Sequence, residues 1–515
     1  MAIHSKLSSV RPLAISHRRQ AQSWIAASRS ARQHQPHFTR KPCKRLLTSS
    51  ATLPEKPTST AAQTTQIQKR VLQNIPLAAL LRSLFILSLV ALPSKLLTSI
   101  VHLSRNNAAF IDRSPILRWL ATRTFYDNFC IGTTRNQVTQ NMARLHQLGL
   151  NGVILAVARE SEPQKSPKAV NRDVLNRSNG NGALGPKNAQ FKQWVNDYME
   201  TIECLGPGDY IAIKCSGGGT QALGFMTEFT KLCRQNSSEE AEKELRAEMS
   251  YMKEQLHKIC STAKSKGIRV LLDAEGSLYQ SAVDFAALEL MATYNKDSRA
   301  YVFNTYQMYL RSSMHKLKSH LDYASKNNYI AGAKLVRGAY LHVEADKTMF
   351  QPSKAATDAA FDGAVEYLLQ PASSDSKSEE QSGDISWTAE VMLATHNSRS
   401  VHKALELWSN TGGDKSRTKS LTFGQLMGMA DEVSLSVSAE IGRLQPQQQQ
   451  HSAGKRDQQD FPQLGVYKYT IWGPFKDCFL YMLRRAEENK DAVARSKESV
   501  MAILTELKAR LLRSG

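Results

Sequence analysis

Val466-Tyr-Lys-Tyr-Thr-Ile-Trp-Gly473, a break at Pro474, and then Asp477-Cys-Phe-Leu-Tyr-Met-Leu-Arg-Arg-Ala-Glu-Glu-Asn489 form one β-then-α unit near the end of a 515-residue chain. The first half is rich in β-branched and aromatic residues and predicts a strand. The second half predicts a helix, and at about 100° per residue Tyr481, Arg484, Arg485 and Glu488 fall on one face of it. Phe479, Leu480, Met482, Leu483 and Ala486 crowd the opposite face, which can pack on a core. Two adjacent guanidinium forks suit a small carboxylate held bidentately. The same spacing also describes a solvated ion-pair face, so the rest of the chain has to decide between the two.

Upstream, apolar strand-like runs alternate with longer helical patterns. Counting Val466–Gly473, eight candidate strands appear, the others being Gly152–Ala158, Tyr210–Cys215, Arg269–Glu275, Tyr301–Gln307, Ala331–Tyr340, Ala389–Asn397 and Leu421–Met429. Helical candidates between them include Gln190–Leu205, Gln280–Tyr294, Met308–Ser325, Ala355–Leu369 and Val401–Ser409, and Ser237–Lys266 alternates Glu with Lys or Arg as a long helix would. Alternation of this count predicts an α/β protein whose parallel sheet closes into a (β/α)8 TIM barrel over residues 150–489. A doubly wound open sheet is the alternative. Gln164–Lys187, Ser373–Ser386 and Gln445–Gln459 lack apolar content and read as surface insertions or disordered loops. Residues 490–515 predict a C-terminal helix.

Composition narrows the class further. The chain is 41% hydrophobic with six Trp, which excludes a mainly disordered protein. The net charge of +21 would suggest nucleic acid were it evenly spread, but residues 1–54 hold ten Lys or Arg and no acidic residue. That leader, dispersed among Ser, Ala and Gln and lacking a long apolar core, has the pattern of a mitochondrial transit peptide. A nucleic-acid arm would show blocks of charge instead. Seven scattered Cys without a C-x-x-C fit a reducing compartment. Residues 55–149 read as a polar linker followed by N-terminal helices. Within them Pro76–Pro93 has an uncharged run of only twelve residues, Ser83 to Ser94, short of the roughly 20 a spanning helix needs. Peripheral membrane contact over residues 76–103 is the favoured expectation there, and a buried core helix is the other.

A barrel collects its chemistry at the C-terminal ends of its strands, and polar residues gather at those ends here. They are Lys214, Asp273 and Glu275, Gln307, Lys334 and Arg337, Thr395-His396-Asn397, and Tyr469. Asp273 and Glu275 could bind a metal, but no nearby His completes a ligand set, so no metal is expected. Gly217–Gly219 lacks a phosphate-loop form and reads as a flexible loop. No nucleophile is flanked by a base, which argues against hydrolysis. The lining rich in donors suits an extended polar cofactor plus a small anion.

Together, Asp273-Ala-Glu275, Leu335-Val-Arg-Gly-Ala-Tyr340, Ala394-Thr-His-Asn397, Gln425-Leu-Met-Gly-Met429 and Tyr481–Asn489 resemble the FAD-dependent proline dehydrogenases, of the eukaryotic mitochondrial type, over residues 150 to 489. The resemblance implies a distorted barrel with non-covalent FAD at its mouth. It implies oxidation of L-proline to Δ1-pyrroline-5-carboxylate by hydride transfer from C5 to flavin N5, with electrons passed to a membrane quinone. Carried over by position, Asp273, Lys334 and Tyr469 would be catalytic. Lys214, Leu426, Tyr469, Arg484 and Arg485 would bind substrate, and Ala274, Gln307, Lys334, Val336, Arg337, Gly338, Thr395, His396 and Glu488 would bind FAD. Asp273 would hold Lys214 or Tyr469 in place. Two positions differ from the family pattern: Lys334 stands where bacterial relatives have arginine, and Ile471-Trp472 replaces a usual proline after the strand-eight tyrosine. The implied setting is the matrix side of the inner mitochondrial membrane, with peripheral contact and no nucleic acid. The competing readings are a hydroxyproline oxidase of the same fold, a phosphate-handling or aldolase-like barrel, and a non-catalytic membrane or nucleic-acid binder.

Overall fold

A computed structural model describes residues 71–158, 189–232, 239–297, 299–341, 344, 346–370, 387–411, 417–444, 463–489 and 493–512. The leader 1–54, the linker as far as residue 70 and the predicted insertions 164–187, 373–386 and 445–459 lie outside the described residues.

Nine strands form one sheet: β1 Cys130–Gly132, β2 Gly152–Val157, β3 Tyr210–Ile213, β4 Arg269–Leu272, β5 Val302–Gln307, β6 Ala331–Val336, β7 Ala389–Ala394, β8 Thr418–Leu426 and β9 Leu464–Trp472. Strands β2 to β9 pair in chain order, all parallel, and β9 pairs back onto β2 through Gly152↔Tyr467 to Val157↔Trp472, so the barrel is closed. This is the predicted (β/α)8 architecture, and the open sheet is excluded. Short β1 was not foreseen. It pairs with β9 at Ile471 and Trp472, beyond the point where β8 stops accompanying it.

Strand periodicity separates the two cores. In β4, Val270 and Leu272 point outward into a large cluster under the helices, while Leu271 points inward into a second cluster with Ile154, Ala212, Phe303, Met392 and Tyr467. Continuing the inward row in both directions gives Arg269 at the bottom and Asp273 at the mouth. Predicted strands overran the observed ones at their C-terminal ends: Ala331–Tyr340 stops at Val336 and Ala389–Asn397 stops at Ala394. Apolar runs continue past the last ladder hydrogen bond because the chain must still pass between packed helices before it reaches solvent. The helices follow the predicted rhythm closely, as in Ala189–Glu203, Glu239–Ser265, Gln280–Tyr294 and Lys354–Leu369. The last begins on Ser353, whose hydroxyl accepts from Ala356 N. Helices Thr220–Leu232 and Asp431–Leu444 were not foreseen, while Arg135–Gln147 falls in the stretch expected to hold N-terminal helices.

The bottom of the barrel is plugged by charge. The Arg269 guanidinium lies 2.7 Å from Glu390, donates to the Tyr210 hydroxyl at 2.7 Å, and sits between the Tyr210 and Phe303 rings. Glu390 also receives Ser420 Oγ at 2.8 Å and pairs with Arg299 at 3.0 Å. Arg269 and Glu390 are both essentially inaccessible, so each is tolerable in the interior only because the other is present.

The N-terminal region folds into short helices, among them Leu77–Val90, Ser94–Asn106, Ala108–Arg113 and Pro115–Ala121. In Leu77–Val90 one side is packed and the other open: Leu80 and Ile86 are buried while Leu77, Leu81 and Phe85 are exposed. At the other end, Val493–Leu511 packs beside it, and Arg510 donates to the carbonyls of Leu72, Gln73 and Ile75. Glu390→Ala should destabilise the fold by about 3–5 kcal/mol, because it strands Arg269 in the interior, and Glu390→Gln by less. The shift in the urea-unfolding midpoint measures this; an unchanged midpoint for Glu390→Ala would contradict the plug.

Candidate active site at the barrel mouth

Three strand ends meet on one carboxylate. Asp273, one residue past β4, accepts from Lys334 Nζ at 2.5 Å and from the Tyr469 hydroxyl at 3.0 Å. Lys334 is the fourth residue of β6 and Tyr469 the sixth of β9, so the contact spans the barrel. Asp273 and Lys334 are buried at 7% and 4% exposure. The Lys334 Nζ also lies 5.5 Å above the Tyr469 ring. Asp273 thus holds Lys334 and Tyr469, where Lys214 or Tyr469 had been expected.

Lys214 completes the group from β3. Its Nζ sits 5.9 Å from the Tyr469 ring and 5.6 Å from the Tyr481 ring. Its backbone is fixed on both sides, since its N–H donates to the Tyr198 hydroxyl at 3.0 Å and its carbonyl accepts from Trp194 Nε1 at 3.0 Å. Burial pushes the Tyr198 phenol far above its ordinary range, which keeps it neutral. The next turn, Cys215–Gly218, is buried throughout. Ser216 N donates to Glu275 Oε1 at 3.0 Å, and its hydroxyl bonds Oε2. The expected flexible glycine loop is therefore a rigid turn. A Cβ on Gly218 would come within 2.8 Å of the Phe191 ring, and Gly219 has φ +95°. Glycine here answers to packing, which a lone Gly-Gly-Gly cannot announce.

The helix Phe475–Asn489 lies over this mouth. Tyr481 is buried, not solvent-facing, and its ring is 6.0 Å from the Arg484 Cζ and 5.1 Å from the Arg485 Cζ. The Tyr481 ring thus has Lys214, Arg484 and Arg485 all within about 6 Å of its centre. Phe475, Cys478 and Phe479 are buried beside it. Glu488 belongs to the last turn of this helix, and its side chain lies outside the described residues.

The other predicted positions ring the same mouth. Leu426 is in register with Tyr469 across β8 and β9, and its N–H donates to His396 Nε2 at 3.0 Å, which assigns the ring proton to Nδ1. Gln307 donates to the Glu275 carbonyl at 2.9 Å and is in register with Val336. Ala274 is buried between Asp273 and Glu275. Arg337 directs its guanidinium sideways, to Asp358 at 2.5 Å, Thr395 at 2.8 Å and Ser400 at 2.9 Å, over the Phe361 ring. It therefore braces the helix Lys354–Leu369 and orients Thr395. Gly338 has φ +129°, and a Cβ there would fall 1.8 Å from the Tyr309 ring, so only bare backbone fits. Gln425 was missed as a brace: it donates to the Thr395 carbonyl and accepts from Ser434. A cavity of about 100 Å3 extends from His396 and Arg485 beneath the helices Leu77–Val90 and Val493–Leu511.

The mouth therefore combines four basic side chains, Lys214, Lys334, Arg484 and Arg485, with two carboxylates that are already engaged, Asp273 and Glu275. Such a balance favours anionic ligands.

The family model described as "Proline dehydrogenase" matches residues 170–498, more than half of the chain. A Schizosaccharomyces pombe protein described as "Probable proline dehydrogenase, mitochondrial" is 27% identical over 471 residues, covering 83% of this chain and 87% of that one. A Bos taurus hydroxyproline dehydrogenase is 26% identical over 433 residues, covering 77% and 83%. The crystal structure of proline utilization A from Bdellovibrio bacteriovorus is similar in fold, with a TM-score of 0.54 at 14% identity over 84% of this chain and 42% of that one. Closed barrel, ordered strand-end residues and a family match over most of the barrel lead to one conclusion: the chain belongs to the proline dehydrogenase family, whose members are flavoenzymes.

Proposed function

We propose that this protein oxidises L-proline to Δ1-pyrroline-5-carboxylate with FAD, on the matrix side of the inner mitochondrial membrane, and that a membrane quinone takes the electrons. The observation that carries this reading is the gathering of Arg484, Arg485 and Lys214 around Tyr481, next to the Asp273–Lys334–Tyr469 triplet. It provides a grip for a small carboxylate beside a wall for a small ring. The mitochondrial setting is supported by the basic leader and by the name of the yeast relative.

The reaction removes a hydride from C5 and a proton from the ring nitrogen, leaving a C5=N double bond. When bound, FAD supplies the two-electron acceptor. Its holders would be Ala274, Gln307, Lys334, Val336, Gly338, Thr395, His396 and Glu488, with Arg337 acting through the Thr395 hydroxyl it orients. The fit rests on the backbone bared at Gly338, the neighbouring register of Gln307 and Val336, and the orientation of Thr395 by Arg337. Arg484 and Arg485 grip the proline carboxylate with paired forks. Tyr481 keeps those guanidinium groups and the Lys214 ammonium close to one ring. Tyr469, pinned through its hydroxyl by Asp273, presents its ring to the substrate, and Leu426 adds apolar surface at the same level. Lys334 would help hold FAD, and its ammonium would offset the negative charge that the bound group would gain on accepting a hydride. Asp273 serves that step by holding Lys334 and Tyr469 in one arrangement.

Hydroxyproline is the second substrate to weigh, given the bovine relative. A C4 hydroxyl facing Leu426 and the Tyr469 ring would lose its water partners, at about 1–3 kcal/mol, so proline should be preferred by about tenfold or more in kcat/KM.

Three measurements test the proposal. The purified protein should be yellow and bleach on adding L-proline without oxygen, more readily than with trans-4-hydroxyproline. A colourless protein trapped by borohydride on a lysine would instead support the aldolase-like reading, and faster bleaching by hydroxyproline the other oxidase. Arg484→Met and Arg485→Met should each lower kcat/KM for proline by about a hundredfold or more, about 2.7 kcal/mol of transition-state stabilisation. Near-normal turnover in either would refute the clamp. A double-mutant cycle of Asp273→Asn and Lys334→Met, read by urea unfolding, should give a coupling of about 1–3 kcal/mol; additive effects would show that the pair is not an energetic unit.

A further inference from the structure

We infer that the N-terminal helical layer, residues 77–120, is the surface that docks this protein on an anionic lipid bilayer. The inference deepens the proposed use of a membrane acceptor by naming the face that meets the membrane, and its test does not depend on proline chemistry.

Apolar side chains are exposed here in a way the rest of the described molecule does not match. Of the 18 exposed large hydrophobic residues among the described residues, 11 fall between Leu77 and Leu120. They include Leu103 at 67%, Phe110 at 64%, Ile116 at 78% and Trp119 at 61%. Scattered single exposures are normal on a protein surface, but a concentration on four consecutive helices marks an interaction face. The C-terminal helix Val493–Leu511, packed beside Leu77–Val90, adds exposed Met501 and Leu504.

Charge and length identify the partner. Residues 77–127 carry six Lys or Arg, namely Arg82, Lys95, Arg105, Arg113, Arg118 and Arg123, against only Asp112 and Asp127. That balance matches an anionic headgroup layer, with cations beside Trp and Phe as interfacial helices have them. None of the helices can cross: Leu77–Val90 has 14 residues and Ser94–Asn106 has 13, about 20 Å each against a hydrocarbon core of about 30 Å. Among the described residues no helix is long and apolar enough to span a membrane. Short helices, outward apolar side chains and a cationic balance together describe elements that lie in the interface plane.

The placement has a consequence for the site. Ser94–Asn106, Ala108–Arg113 and the turn Thr122–Tyr126 pack directly on the helix Phe475–Asn489, which carries Arg484 and Arg485. Tyr126 stacks on Phe475 with ring centroids 6.0 Å apart, and Arg118 lies over the same ring at 5.5 Å. Docking by this face sets the helix that covers the barrel mouth immediately beneath the lipid.

The test uses the full chain in vesicle flotation, with phosphatidylcholine alone and with phosphatidylcholine containing about 30% cardiolipin. The protein should float with the cardiolipin vesicles and less with the neutral ones. The triple change Phe110→Ser, Ile116→Ser and Trp119→Ser should lower the bound fraction by about tenfold or more while leaving reduction of a soluble dye by proline unchanged. A second variant, Lys95→Glu with Arg113→Glu, leaves the apolar groups in place and should weaken binding to the anionic vesicles. Leu444→Ser, elsewhere on the surface, should bind as the unaltered protein does. Failure of the unaltered protein to float, or equal flotation of the triple variant, would overturn the inference. So would a triple variant that floats normally but passes from dimer to monomer by light scattering, which would make this face a contact between copies.

Discussion

One carboxylate shapes the mouth of this barrel. Asp273 receives an ammonium from β6 and a phenol from β9, and its own backbone N–H donates to the Ile213 carbonyl at the end of β3. Four strand ends are thereby tied at a single residue. A buried Lys is costly without a counter-charge, and a Tyr ring at a rim can rotate unless its hydroxyl is held. Asp273 answers both requirements at once. The two oxygens of a carboxylate are what permit this, since each can serve a different strand. An arginine at position 334 would present a fork wide enough to take both oxygens itself. Lysine takes one and leaves the other for Tyr469.

The barrel repeats this device at its opposite end. Along the inward row of β4, Arg269, Leu271 and Asp273 are bottom, middle and mouth, so that a single strand alternates charge, hydrocarbon and charge. At the bottom Arg269 meets Glu390 and aromatic faces, and the pair is sealed. At the mouth Asp273 meets Lys334 next to three further basic side chains. At the bottom the buried Arg269 and Glu390 satisfy each other, with the part-exposed Arg299 on the rim; the mouth is left with an excess of positive charge, which an anionic ligand would balance. The apolar middle layer of Ile154, Leu271, Phe303, Met392 and Tyr467 separates the two ends. It allows the bottom to contribute stability without its charges being drawn into the site.

Much of this was legible from residue order. Strand number, parallel closure and the inward polar residues followed from periodicity, because a one-residue slip would have turned Asp273 and Lys334 away from the mouth. The Arg pair was legible too, since adjacent guanidinium groups next to a tyrosine are uncommon on a helix face. What was not legible was partnership. Lys214 or Tyr469 was the expected neighbour of Asp273 and Lys334 was not, because only the barrel's curvature shows that β6 and β9 reach it. Arg337 looked like a ligand donor, yet its guanidinium is held by Asp358, Thr395 and Ser400, two of which lie on helices outside the barrel. The rigidity of Gly217–Gly219 depends on Phe191 and Glu275, both distant in sequence. Long-range packing of this kind leaves no local pattern.

The covering helix shows why the N-terminal layer is needed at all. A helix with only one buried face could sit on the barrel mouth alone, as the first reading of Phe475–Asn489 assumed. Instead Tyr481 is buried toward the mouth, while Phe475 stacks on Tyr126 of the N-terminal layer and Cys478 and Phe479 are buried beside it. Apolar residues therefore occupy two sides of this helix, and hydrocarbon on a second side must be covered. The helices from Ser94 to Tyr126 cover it. By doing so they fix the axis of the helix, and with it the aim of two guanidinium groups whose value as a clamp depends on direction. Having used one face on that task, these short helices have only their outer faces left, and those faces carry the exposed apolar residues. The position of the clamp and the apolar outer surface are thus consequences of the same packing requirement.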